Sequence, residues 1–92
     1  MKKIIQRTRR FEKSFARLNF KTQKLFIKKL GIFIDDEYAI SLRTHKLKGR
    51  GVGEYAFSVT DDIRAIYEKR SMKEMEIIIF MFVDIGGHNK VY

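Results

Sequence analysis

His45 and His88 are the only two histidines in a chain of 92 residues, and each stands in a polar, glycine-bearing segment. His45 opens His45-Lys46-Leu47-Lys48-Gly49, and His88 sits in Gly86-Gly87-His88-Asn89-Lys90-Val91-Tyr92. An imidazole titrates near neutrality, so it can take or give a proton at physiological pH. The pairing predicts one polar site built from two segments far apart in sequence. Metal-free RNA cleavage needs little more than this. The ribose 2′-OH attacks its own phosphate, one group removes the proton, another protonates the leaving oxygen, and cations stabilise the pentacovalent charge. His45, Asp62, His88, Arg64 and Tyr92 are available for those roles, and Lys46, Lys48 and Arg50 can donate to a backbone phosphate. The plainer alternatives are a loop histidine at His45, a turn former at Asp62, a solvent-facing strand residue at Arg64 and a tail anchor at Tyr92.

Other chemistries find less support. Gly49-Arg50-Gly51-Val52-Gly53 lacks the spacing and the Lys-Ser/Thr of a phosphate-cradling loop, so its glycines read as turn formers. Two histidines, no Cys and no His-x-x-x-His pair give no recognised ligand set, and neither metal nor cofactor is expected. The absence of Cys fits a reducing cytosol. Met1 to Arg7 has charge but no apolar stretch behind it, and Ile77 to Val83 is too short to span a bilayer, so a cytoplasmic protein without membrane contact is expected.

Charge is the strongest global signal, at net +9. It is uneven, with 15 Lys/Arg against 4 Asp/Glu in residues 1–50 and 5 against 7 in residues 51–92. A cationic first half implies a polyanion or an acidic protein as partner.

The elements that must position these groups follow from periodicity. Residues 2–7 read as a short strand. Thr8 is the expected N-cap of a helix whose Phe11, Phe15 and Leu18 share one face, with Arg10, Lys13 and Arg17 on the other. Beyond Asn19 a second helix is predicted over 21–34, burying Phe26, Leu30 and Phe33 and exposing Lys21, Lys24 and Lys28. Two adjacent basic stripes suit a phosphate-tracking surface, although such a stripe can also be no more than a solvated face. Residues 38–53 read as a polar connection. Strands are predicted over 54–59, 63–69 and 76–83, with turns at Asp61-Asp62 and Ser71-Met72-Lys73. The whole is a single α+β domain over 1–92: an N-terminal strand, a two-helix hairpin, then a largely antiparallel three-strand run completing a four-stranded sheet.

With these segments in order, the sequence resembles the RelE/StbE toxins of the RelE/ParE superfamily, in particular the YafQ-like branch. The likeness rests on the basic helical hairpin, His45-Lys46-Leu47-Lys48-Gly49, the run Tyr55-Ala56-Phe57-Ser58-Val59-Thr60-Asp61-Asp62-Ile63-Arg64-Ala65-Ile66-Tyr67, and the terminal Gly86-to-Tyr92 segment. It implies a ribosome-dependent endoribonuclease that cuts mRNA in the decoding site and is held inactive by a cognate antitoxin. His45 matches the family's His before the Leu-x-Gly turn, Asp62 its acid before the central strand, His88 its C-terminal His, and Tyr92 an aromatic that stacks on or holds the reacting nucleotide. The chain departs from that branch at Ser58, where a further His is usual, and at Ile63, where a Trp is usual.

The expected partners are an acidic antitoxin, the ribosome and mRNA, with a monomer when free and a hetero-oligomer with the antitoxin. Two alternatives remain open: a ParE-like toxin that poisons DNA gyrase by binding, and an inactive protein that binds only RNA or an antitoxin.

Overall fold

The structure is a computed structural model that describes residues 1–48 and 53–87. A strand, β1 (Lys2–Arg7), leads into helices α1 (Arg9–Ala16) and α2 (Phe20–Asp35), followed by strands β2 (His45–Lys46), β3 (Glu54–Ser58), β4 (Ile63–Met72) and β5 (Ile77–Gly87). They form one sheet in the order β1-β5-β4-β3-β2. Among the described residues the β1–β5 pairing is parallel and the other pairings are antiparallel. The α+β class and element order agree with the sequence reading, and β2 adds a fifth strand.

Capping side chains set the helix starts. The Thr8 hydroxyl accepts from the Phe11 N–H at 3.1 Å and donates to the Val83 carbonyl at 3.1 Å, so one residue both caps α1 and pins it to β5. Asn19 caps α2 by accepting from the Thr22 N–H at 2.8 Å. The Gln23 side chain then donates to the Phe15 carbonyl at 2.9 Å, tying the two helices together.

Alternation along the strands gives the sheet two unlike faces. Phe57, Tyr67, Phe80, Phe82 and Ile85 point to the helices and meet Phe11, Phe26 and Phe33 in a core rich in aromatic rings. Phe33 has no exposed surface and packs on Phe57, Tyr67, Phe80 and Phe82 with ring centroids 4.8 to 5.7 Å apart. Leu30, expected in this core, is only half-buried. On the opposite, helix-free face lies a smaller buried cluster of Leu47, Ala56 and Ile66 with Val83 packed against it.

Three departures from the sequence expectation shape the site. The connection predicted to be plain loop holds a 3₁₀ turn at Ile40–Leu42 and the strand β2, anchored by Leu42, which is fully buried. The apolar residues Ala39, Ile40, Leu42 and Leu47 are too scattered among polar ones to set a period, and a two-residue strand has too little pattern to read. The β4–β5 hairpin runs longer than predicted, its turn falling at Lys73–Met75. The register also shifts within it: Ile66 pairs with Asp84 and Tyr67 with Phe82, leaving Val83 as the extra residue of a bulge. Thr8 caps both carbonyls there, its N–H donating to Phe82 at 2.9 Å. The bulge therefore marks where β1 ends and β5 turns to deliver Asp84 to Gly87.

No helix among the described residues is long and apolar enough to cross a membrane.

Candidate active site

Cross-strand register places the chemistry-bearing residues. His45 pairs with Ala56, Ala56 with Ile66, and Ile66 with Asp84, forming one row across the helix-free face in which His45 is exposed and the other three are buried. The next row toward the β3–β4 turn is Ser58, Arg64 and Gly86. With two strand spacings of about 4.8 Å and two residues of about 3.4 Å between them, the His45 and Arg64 Cα atoms stand roughly 12 Å apart. Both side chains can turn toward the ground between them.

Backbone forces hold each group. The His45 ring is exposed, with Nδ1 3.1 Å from the Arg43 carbonyl. A neutral imidazole paired this way donates from Nδ1 and keeps its lone pair on Nε2. Half-buried Arg64 donates from Nη1 to the Thr60 carbonyl at 2.8 Å and the Ile63 carbonyl at 3.4 Å. Those bonds brace the guanidinium along the β3–β4 turn and leave Nε and Nη2 to donate elsewhere. Arg64 is thus braced along the turn, not turned wholly to solvent. The Thr60 hydroxyl accepts from the Asp62 and Ile63 N–H groups at 3.2 and 2.9 Å, shaping the turn that carries Asp62. Asp62 is exposed and reaches across to the end of β5: a Cβ added to Gly87 would lie 3.2 Å from its Oδ2. The acid therefore sits against the residue immediately preceding His88.

His88, Tyr92 and Arg50 lie outside the described residues. The structure brings Asp62 to the start of the terminal segment, while His45 stands three strands away from that segment, on the edge strand β2. Lys46 and Lys48 are exposed beside it.

The basic stripes lie on the helices, and that of α1 reaches the edge of β5 through Arg10. Arg10, Lys13 and Arg17 on α1 and Lys21, Lys24 and Lys28 on α2 are all exposed, in the helix layer that covers the opposite face of the sheet. Arg9, Arg10, Lys13, Ser14 and Arg17 line a cleft of about 430 Å³. Arg10 is committed in part, its Nη2 lying 3.2 Å from Oδ2 of the buried Asp84 at the bulge. No local pattern in the sequence links residues so far apart.

A second device fixes the segment leading into His45. The Glu37 carboxylate accepts from the Tyr67 hydroxyl at 2.6 Å and from Lys69 Nζ at 2.9 and 3.2 Å. Lys69 also lies 4.4 Å from the Tyr55 ring centroid and 5.3 Å from that of Tyr38. Burial, then the hydrogen bond and charge of Glu37, push the Tyr67 phenol well above its ordinary range. For Lys69, burial acts to lower the ammonium pKa but is outweighed by the hydrogen bonds and charge of Glu37 and Tyr38, so the group ends up raised. The Glu37 carbonyl in turn accepts from the Thr44 hydroxyl at 2.6 Å, next to His45. Glu37, absent from the sequence reading of the site, therefore couples the core to the histidine strand.

Comparison with solved structures adds the family likeness of this arrangement. YafQ from E. coli strain BL21(DE3) superposes with a TM-score of 0.78 at 14% identity, over 99% of each chain. The chain has the fold of the YafQ and RelE toxins. The E. coli DinJ–YafQ toxin–antitoxin complex matches with a TM-score of 0.71 at 15% identity, covering 100% of this chain and 99% of that one. The archaeal RelE–RelB complex from Pyrococcus horikoshii OT3 gives 0.69 at 16%, covering 99% and 100%. No protein-family model and no curated sequence matches the chain. The RelE/YafQ-like fold thus agrees with the resemblance read from the sequence.

Proposed function

We propose that this protein is the toxin of a type II toxin–antitoxin pair, a ribosome-dependent endoribonuclease that cuts mRNA without a metal at the reacting phosphate. The observation that carries the reading is a full-length likeness to YafQ and RelE together with the register, which sets His45 and Arg64 in neighbouring rows of the helix-free face, and with Asp62 beside the end of β5.

In the proposed reaction His45 Nε2 takes the 2′-OH proton as the 2′-oxygen bonds to phosphorus. The bond to the 5′-oxygen breaks, leaving a 2′,3′-cyclic phosphate and a 5′-OH. Arg64 and the lysines of the His45 segment offset the charge that gathers on the phosphoryl oxygens. His88 supplies the proton to the leaving oxygen, and Tyr92 stacks on a neighbouring base. Asp62 orients the start of that terminal segment through its contact with Gly87.

The basic stripes on the helices fit a very large polyanion. Lysines on α1 and α2 can engage a ribosome and supply salt-dependent, sequence-independent affinity. The same cationic helix layer suits a flexible acidic antitoxin, whose ordering cost is offset by charge complementarity.

Primer extension on an mRNA translated in the presence of the protein tests the reading. Discrete, translation-dependent cuts support it. Growth inhibition with intact mRNA and arrested DNA supercoiling would favour a ParE-like gyrase poison instead.

A further inference from the structure

Arg43 and Glu76 are the non-glycine residues with positive φ among those described, and Arg43 stands two residues before His45. Its φ of 50° and ψ of 41° place it in the left-handed region, which crowds the Cβ of a residue other than glycine. Such a conformation persists only where its surroundings force it. Here they do. Leu42, one residue earlier, is fully buried, and the Arg43 N–H donates to the Ile40 carbonyl at 3.2 Å. Thr44, one residue later, is tied through its hydroxyl to the Glu37 carbonyl at 2.6 Å. With both neighbours fixed, the turn aims the Arg43 carbonyl at His45 Nδ1, 3.1 Å away.

We propose that Arg43 is a positioning residue for His45: its left-handed backbone presents a carbonyl that holds the imidazole as the Nδ1–H tautomer, with Nε2 as the proton acceptor. An imidazole in water ordinarily favours the opposite tautomer, which would turn a donor toward a substrate hydroxyl. The strained turn therefore sets which nitrogen is basic. The inference rests on the proposed role of His45 and adds what makes that histidine competent as a base. It assigns the effect to the backbone of Arg43, not to its guanidinium.

The test is the long-range ¹H–¹⁵N correlation spectrum of the ¹⁵N-labelled full chain, in which the two ring nitrogens of a neutral imidazole differ sharply. His88→Gln assigns the His45 signals. Wild-type protein should show a protonated Nδ1 and an unprotonated Nε2. Arg43→Gly and Arg43→Asn, which suit the left-handed region, should keep that pattern although both lack the guanidinium. Arg43→Val, whose β-branch resists the conformation, should shift His45 toward the Nε2–H form and cleave at least tenfold more slowly than Arg43→Gly in single-turnover reactions on preassembled ribosomes. A wild-type Nε2–H tautomer overturns the proposal. So does loss of the Nδ1–H form in Arg43→Gly and Arg43→Asn, which would assign the effect to the arginine side chain and needs no folded valine variant. If the tautomers follow the expected order but His45→Ala cleaves like wild type, the positioning stands and the catalytic reading of His45 fails.

Discussion

Replacing Tyr67 by Phe removes one oxygen from the centre of the fold and leaves the aromatic packing in place. The lost group is the hydroxyl that donates to Glu37 at 2.6 Å, on a residue with no exposed surface. A hydrogen bond to a charged group contributes about 1.5–3 kcal/mol net. Glu37 keeps its contacts to Lys69 in the variant, so the lower part of that range applies, about 2 kcal/mol near neutral pH. For a domain of this size that lowers Tm by roughly 8–16 °C. The deficit should depend on pH in a defined sense. In the folded wild type the phenol is held protonated well above its ordinary range, whereas in the unfolded chain it ionises near pH 10. The group's contribution is therefore fully present below pH 10 and is lost as pH rises beyond it, by about 1.4 kcal/mol at pH 11 for a single proton. The variant lacks that loss. The gap between the two proteins should narrow from about 2 kcal/mol at pH 8 to about 0.6 kcal/mol at pH 11. Urea unfolding followed by fluorescence at four pH values between 8 and 11 measures it. A gap that stays constant or widens with pH would refute the assignment of a protonated, hydrogen-bonded Tyr67. The raised Lys69 acts with the same sign in both proteins, since its contribution is present below its unfolded pKa and is lost at higher pH.

Arg64→Ala should slow single-turnover cleavage by about 10²–10³-fold with little change in ribosome binding, because its braced donors act on developing charge; equal rates would make Arg64 a structural prop of the turn. Changing Lys21, Lys24 and Lys28 together to Gln should weaken ribosome binding and reduce the slope of log K against log salt by about 2–3, as expected for about three lost phosphate contacts, whereas an unchanged slope in sedimentation assays would leave that stripe as a solvated face. Gly87→Ala brings a Cβ to 3.2 Å from Asp62 Oδ2. The exposed carboxylate can shift by a few tenths of an ångström, so thermal stability should change by less than about 1 kcal/mol. If Asp62 orients the terminal segment, cleavage should fall far more than stability, and parallel losses in the two assays would argue against that role. His88→Ala should lower the chemical step by about 10²–10⁴-fold while leaving binding intact, and wild-type cleavage by this variant would leave the terminal segment as a docking tail.

The helices and long strands were legible because burial imposes a period. Phe11, Phe15, Phe26 and Phe33 repeat at helical spacing, and Phe80 and Phe82 alternate with Ile79 and Met81 as a strand with one covered face requires. Thr8 announced the start of the first helix through its side-chain chemistry, whereas the cap that Asn19 supplies to α2 went unread. What escaped reading depends on contacts without a local pattern. Arg43 takes a conformation that Gly or Asn would have advertised and arginine does not. The Val83 bulge, the Arg10–Asp84 pair and the Glu37–Tyr67–Lys69 cluster join residues 15 to 74 positions apart or shift a register by one, and only the closed sheet defines them. Residue types pointed to His45, Asp62 and Arg64, but the register that sets His45 and Arg64 in neighbouring rows, and the approach of Asp62 to Gly87, are properties of the sheet.

In the proposed reaction mRNA is cut through the message's own 2′-hydroxyl. The direct measurement is single-turnover cleavage on ribosomes assembled with a defined mRNA, compared with the same mRNA carrying one 2′-deoxy nucleotide on the 5′ side of the mapped cut. The account predicts cleavage of the first to a 2′,3′-cyclic phosphate and a 5′-OH, and none at the deoxy position. Cleavage that continues through the deoxy site, or ribosome-bound mRNA that is never cut, would contradict it.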